Sequence, residues 1–310
     1  RLRTVTGVQT CALPILYLIN LLLSEKMVAN LLNFKDKSSM GIIYFVLITF
    51  IITYLMLAFV YINGGLSYQN TFAFLMAMMF IPLIVSSLLT KFYLKRPISS
   101  FGIKIGTGIK YYLAAYFYPF IVIGLGILLF VLMRLGTFST NLDLIFPSQY
   151  GIPIYIYLIN YAIAPVFPNS IFAFGEEYGW RGYLQDLLLE KFSILKTLII
   201  TGIIWGLWHA PLIAMGYNYH QYPLPGVFLF TLWTIFVGIF FGWLKIKSKS
   251  VLTAALGHGA INAYVGFGIL FAQTNNQLLG VPFGLPGLLA FLILAIIFLW
   301  DLKRSYPQKF

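Results

Sequence analysis

Thr197-Leu198-Ile199-Ile200-Thr201-Gly202-Ile203-Ile204-Trp205-Gly206-Leu207-Trp208-His209-Ala210-Pro211-Leu212-Ile213-Ala214 is an apolar run without one acidic or basic charge. At 1.5 Å per residue its length is about 27 Å as a helix, close to the ~30 Å hydrocarbon core of a bilayer. One imidazole, His209, interrupts it. An ionisable side chain inside a spanning segment is costly and marks a functional position by default. The run therefore sets two expectations, a membrane-spanning fold and a polar site held within it.

Runs of the same kind recur at about 40–62, 71–90, 111–133, 152–173, 225–244, 251–271 and 283–300, which makes eight in all. The chain of 310 residues is 60% hydrophobic and 9% charged, with mean hydropathy +0.90. Soluble domains carry roughly 25% charged residues. The fold class is all-α, a polytopic membrane bundle of about eight helices.

The net charge of +12 could suggest a nucleic-acid partner, but its distribution points elsewhere. Seventeen of the twenty Lys and Arg residues fall in alternate connections, and the intervening connections hold only Arg134. Cytoplasmic loops collect positive charge. Both termini are expected in the cytoplasm, with the bilayer as partner and no nucleic acid. Residues 5–15, from Val5 to Ile15, look like a translated sequencing adapter, so residues 1–15 are set aside as an expected artefact. The one cysteine, Cys11, lies there and says nothing about redox compartment. Residues 16–39 suggest an interfacial amphipathic segment, 40–304 the membrane domain, and 305–310 a cytoplasmic tail.

Glu176-Glu177-Tyr178-Gly179-Trp180-Arg181 adds charge beside the spans. Glu177 and Arg181 are i,i+4 on a helix and can pair. Glu176 points about 100° away and is left for a different partner, available as a general base. The alternative is an interfacial helix whose charges only mark the bilayer boundary. Pro165 and Pro168 could break the fourth span and let the glutamate helix reach inward.

His209 is in turn either a packing residue or part of a site. Pro211 frees a carbonyl that a neutral imidazole could satisfy, and Gly202 and Gly206 give a small-residue face for close helix approach. His258 and Asn262 are again i,i+4, among small residues, and could donate hydrogen bonds to a developing oxyanion or serve as an interhelical clamp. His220 is an ordinary loop residue. From the basic side, His258 lies ~10 Å and His209 ~18 Å into their spans at helical rise. A shared cavity open to the cytoplasm is expected. Glu176, His209 and His258 would supply a His₂Glu set suited to catalytic zinc with one position left for water. Without metal, Glu176 and His209 could polarise a water directly, and the residues leave both routes open.

Glu176-Glu177-x-x-x-Arg181, then Trp205-x-x-x-His209, then His258-x-x-x-Asn262 resemble the three motifs of the CPBP family of intramembrane proteases, which includes CAAX prenyl endopeptidases and bacteriocin-processing or immunity-associated proteins. The wording around the motifs looks like that of bacterial members, and Phe101-Gly102-Ile103-Lys104 resembles a segment upstream of them. The resemblance covers about residues 90–270. It implies a helical bundle with a conical cavity in a bacterial plasma membrane, and hydrolysis of a peptide bond in a membrane-associated or lipidated substrate. Glu176 and His209 would activate water, His258 and Asn262 would form the oxyanion site, and Glu177, Arg181 and Trp205 would support them. Zinc on Glu176, His209 and His258 is compatible with this, as is a metal-free glutamate mechanism. One departure is Trp205, where the family commonly has Phe. A non-catalytic scaffold or bacteriocin-immunity protein on the same fold is the alternative. A proton-coupled carrier is a third class, but the inverted repeats that would favour it are not visible.

Overall fold

The computed structural model describes residues 36–310. The expectations for residues 1–15 and for most of the 16–39 segment lie outside the described residues. Within them the chain is an all-α bundle. Seven rods are long and apolar enough to cross a membrane: Lys37–Ile62, Thr71–Tyr93, Ile109–Leu132, Ile194–Ala214, Pro223–Ser248, Val251–Phe271 and Leu285–Ser305. This is an integral, multi-pass membrane protein.

In chain order the helices are α1 (Lys37–Ile62), α2 (Thr71–Met78), α3 (Ile81–Leu88), α4 (Ile109–Leu132), α5 (Ile154–Ile163), α6 (Asn169–Glu177), α7 (Gln185–Leu189), α8 (Ile194–Ala214), α9 (Pro223–Ser248), α10 (Val251–Phe271) and α11 (Leu285–Ser305). Strands β1 (Thr137–Phe138) and β2 (Ala272–Gln273) pair antiparallel, Thr137 opposite Gln273. Asp36 caps α1 by accepting from the Ser39 amide at 2.8 Å.

The fourth expected span is not one rod. It divides into α5 and α6 around Pro165 and Pro168, since proline lacks the N–H that would continue the helix. Side chains satisfy carbonyls at the break: Asn169 Nδ2 donates to Ala164 at 2.9 Å and Ser170 Oγ to Pro165 at 2.5 Å. That is the condition under which irregular backbone is tolerated at membrane depth.

Helices α8 and α9 form the central hairpin, α10 packs against α4 and α6, α11 against α9 and α4, and α3 against α1 and α6. Small residues allow the closest approaches. A Cβ on Gly202 would sit 2.6 Å from Ile235 Cα, and one on Gly206 2.5 Å from Thr234 Oγ1, both on α9. The small-residue face of α8 is thus used, as the spacing suggested. The core holds Phe45, Trp180, Trp205, Trp208 and Phe241, while Leu55, Phe72, Ile121 and Ile296 point outward. Outward apolar side chains suit a hydrocarbon surround.

Basic residues gather at one end of the bundle, where acids pair with them. Arg96 bonds Glu190 at 2.9 Å, Lys191 bonds Asp36 at 2.6 Å, Lys247 bonds Asp301 at 2.9 Å, and Lys245 bonds Asp186. The opposite, basic-poor end carries the β1–β2 pair and the 214–223 loop.

Candidate active site

Helix α6 ends at Glu177 and passes into a wide π-helical stretch, Tyr178–Leu184, all of it buried. Such bulges are frequent at functional sites. Here the stretch is seated by a close contact, for a Cβ on Gly179 would lie 2.5 Å from Pro82 at the start of α3. This packing delivers Glu176 and Glu177 to the middle of the bundle.

The two carboxylates acquire different partners, as the 100° offset implied. Glu177 is fully buried, and its Oε1 accepts from Arg181 Nη1 at 2.8 Å and from His258 Nδ1 at 2.9 Å. Glu176 Oε2 accepts from Trp205 Nε1 at 2.7 Å. The Arg181 guanidinium lies over the Trp205 ring at 4.2 Å and the Phe241 ring at 5.0 Å. His258 stacks on Phe241, centroids 5.2 Å apart, and meets the edge of Trp205 at 5.4 Å. Trp205 also contacts the His209 ring at 5.6 Å. One indole therefore touches the acid, both histidines and the arginine.

Gly259 explains why small residues flank His258. A Cβ there would lie 2.6 Å from the Pro165 carbonyl and the Ser170 amide, so α10 lies directly on the α5–α6 break.

Partners fix the tautomers by elimination. His209 Nδ1 lies 2.9 Å from the Trp205 carbonyl, which can only accept, so Nδ1 carries the proton and a neutral ring leaves Nε2 as an acceptor. His258 Nδ1 donates to the Glu177 carboxylate, which leaves its Nε2 uncommitted. The carbonyl opposite Pro211, that of Leu207, is satisfied by Tyr54 Oη at 2.7 Å. This corrects the expectation that the imidazole would take it: His209 bonds the carbonyl four residues upstream of itself, and a hydroxyl from α1 takes the freed one.

Glu176, Trp205, His209, His258 and Asn262 line a single cavity of about 410 Å³. The structure brings these site residues together. Glu177 and Arg181 sit behind the wall, outside its lining. Asn262 is exposed to the cavity, and its amide makes no hydrogen bond among the described residues.

The cavity does not run toward the basic end, as the charge pattern led us to expect. Glu177, Arg181 and Gln185 block that direction, each with no exposed surface. The lining continues instead to Phe72, Tyr217, Asn218 and Phe283 at the basic-poor end. The reason is the Glu177–Arg181–His258 cluster: the carboxylate pairs with the guanidinium and accepts from the imidazole, and both pack on aromatic faces, so they fill space where water would otherwise enter. Sequence reading also missed Asn169, Met79 and Trp233 as lining residues. Asn169 follows Pro168 directly and was findable from the break. Trp233, whose Nε1 has no partner among the described residues, is one aromatic among many on α9 and carried no signal.

The chemistry of the donors suits zinc, since each imidazole uses Nδ1 on a carbonyl or carboxylate in the manner of metal ligands. Their placement does not: among the described residues no three His, Cys, Asp or Glu side chains are positioned to hold a metal ion.

A polar chamber closed off by a buried ion-pair cluster, inside a bundle of spanning helices, defines a class of helical membrane protein with its site held within the bilayer. Residues 150–264 match the model of a family described as type II CAAX prenyl endopeptidase Rce1-like, and this span contains all seven site residues. The CAAX prenyl protease 2 of Methanococcus maripaludis is 33% identical over 139 residues, covering 43% of this chain and 48% of that protein. The chain spans about half the length of this curated relative.

Proposed function

We propose that the protein is an intramembrane endopeptidase that hydrolyses a peptide bond of a membrane-associated or lipidated substrate. One observation carries this reading: Glu176, His209, His258 and Asn262, drawn from three separate helices, share one cavity.

The free Oε1 of Glu176 and the acceptor Nε2 of His209 hold and deprotonate a water, which attacks the scissile carbonyl. Oxygen charge develops opposite His258 and Asn262. His258 is held toward that oxygen by its Nδ1 donation to the Glu177 carboxylate. The Asn262 amide gives a donor. Glu176 returns its proton to the leaving amine. Donors preset for a developing charge in a water-poor site are worth far more than in water.

The relative's name speaks of prenylated CAAX substrates. For this chain the bacterial wording of the motifs supports an unprenylated membrane peptide, with bacteriocin-related precursors as one such class. With the basic end in the cytoplasm, the start of α1 and the end of α11 face the cytoplasmic side of a plasma membrane. The test is cleavage of a membrane-peptide library by reconstituted protein. Glu176→Gln should lower the rate by about 10²–10⁴-fold, the usual contribution of a general base. Full activity in a folded Glu176→Gln protein would leave a non-catalytic scaffold or immunity protein as the better reading.

A further inference from the structure

A second, larger cavity of about 960 Å³ lies at the basic-poor end, between the β1–β2 pair and the 274–284 loop. It shares Asn218, Ile269 and Phe283 with the cavity that holds Glu176. The two cavities therefore adjoin, with these three residues at their boundary.

The outer chamber is lined by seven uncharged polar side chains among apolar ones and carries no charged side chain. Its amides fall into two groups. Some build the loop: Asn276 Oδ1 accepts from Leu278 N at 3.0 Å, and Gln277 Oε1 from Gln221 N at 3.0 Å. Others are uncommitted. Thr137, Asn218, Gln273 and Asn275 form no side-chain hydrogen bond among the described residues. With Asn262 in the inner cavity, they make a series of free amides and a hydroxyl across the two adjoining cavities.

A peptide threading from water toward a bilayer site must satisfy its backbone N–H and C=O groups as it leaves water. Each side-chain amide offers both a donor and an acceptor, which an extended backbone needs. Charged side chains on that peptide would find no counter-charge here and would lose hydration, which is expensive.

We propose that this vestibule is a substrate-binding site for an uncharged polar peptide segment flanking the scissile bond, so that substrate reaches Glu176 from the basic-poor end. The proposal deepens the endopeptidase reading and rests on it.

The test reads binding, not cleavage, on the full-length Glu176→Gln protein in detergent. The probes are three fluorescent single-span peptides that differ only in a six-residue flank: Ser/Asn/Gly, the same flank with three lysines, and the same with three aspartates. The neutral flank should bind at least about tenfold more tightly than either charged one. Adding Gln273→Glu and Asn275→Asp, at exposed positions without side-chain partners, should restore binding of the lysine flank and weaken the aspartate flank further. In a Cys11→Ser background, Asn275→Cys should be shielded from a hydrophilic maleimide by the neutral peptide. Equal affinities for the three flanks, an unchanged preference in the double variant, or no shielding at 275 would overturn the vestibule. None of these depends on hydrolysis: retained cleavage by Glu176→Gln sinks the reaction, while indifference to flank charge sinks the vestibule.

Discussion

Trp205 Nε1 donates a hydrogen bond to Glu176 Oε2 at 2.7 Å, so this indole holds the proposed base in place. Trp205→Phe keeps an aromatic face for Arg181 and removes only the donor. Hydrogen bonds to charged groups contribute about 1.5–3 kcal/mol, so kcat should fall about 10- to 100-fold with KM little changed. Steady-state kinetics on a membrane peptide would show this. An unchanged kcat would mean that Glu176 is positioned by other contacts.

Arg181 and Glu177 are a fully buried pair. Removing one partner strands the other charge, at a cost of about 3–5 kcal/mol. Arg181→Ala should unfold at markedly lower denaturant in micelles. Arg181→Lys should rescue little, because a compact ammonium replaces neither the planar stacking on Trp205 and Phe241 nor the guanidinium geometry. Equal stability of the lysine variant and the parent would remove stacking from the explanation.

Gly259 tests whether helix approach sets the site. Gly259→Ala places a methyl group against the Pro165 carbonyl and the Ser170 amide, pushing α10 and His258 away from α6. Activity should fall at least about tenfold, the scale of a small misplacement of reacting groups, with helical circular dichroism retained. Full activity would show that α10 can shift without moving His258.

What the sequence made legible was whatever depends on local pattern. Long apolar runs located the seven rods, Pro165 and Pro168 flagged the break, and i,i+4 spacing paired Glu177 with Arg181. The direction of the cavity was not legible. It depends on Glu177 accepting from both Arg181 and His258, a residue 81 positions away, and on Phe241 and Trp205 closing over the guanidinium. Charge counts report which loops are basic, and they carry no information about which end of the bundle is sealed. The partner of His209 was hidden for a similar reason: Tyr54, on a different helix, competes for the Leu207 carbonyl.

The placement of the donors bears on metal dependence. Cleavage should survive 1,10-phenanthroline, and purified protein should hold zinc well below one ion per chain by plasma mass spectrometry. Stoichiometric zinc whose removal abolishes cleavage and whose return restores it would contradict the metal-free route.

At the basic end, Asp36 accepts from Lys191 and from the amide and hydroxyl of Ser39, which together hold its carboxyl well below the usual carboxylate range. A lowered pKa means the stabilisation is complete above the ordinary value of about 4 and is lost as pH falls through the lowered one. The stability gap between the parent and Asp36→Asn should be widest near neutrality and should narrow below about pH 4. A gap that widens in acid would reverse the sign and remove the ion pair as its cause.

The central claim is that Glu176 and His209 act on one and the same water, and a double-mutant cycle tests it most directly. Rates of membrane-peptide cleavage would be measured for Glu176→Gln, His209→Ala and the combined variant in the same vesicles. Groups acting as a unit lose activity non-additively, so the combined variant should be about as slow as the slower single one. Losses that multiply, or a single variant that retains the parent rate, would contradict a shared water.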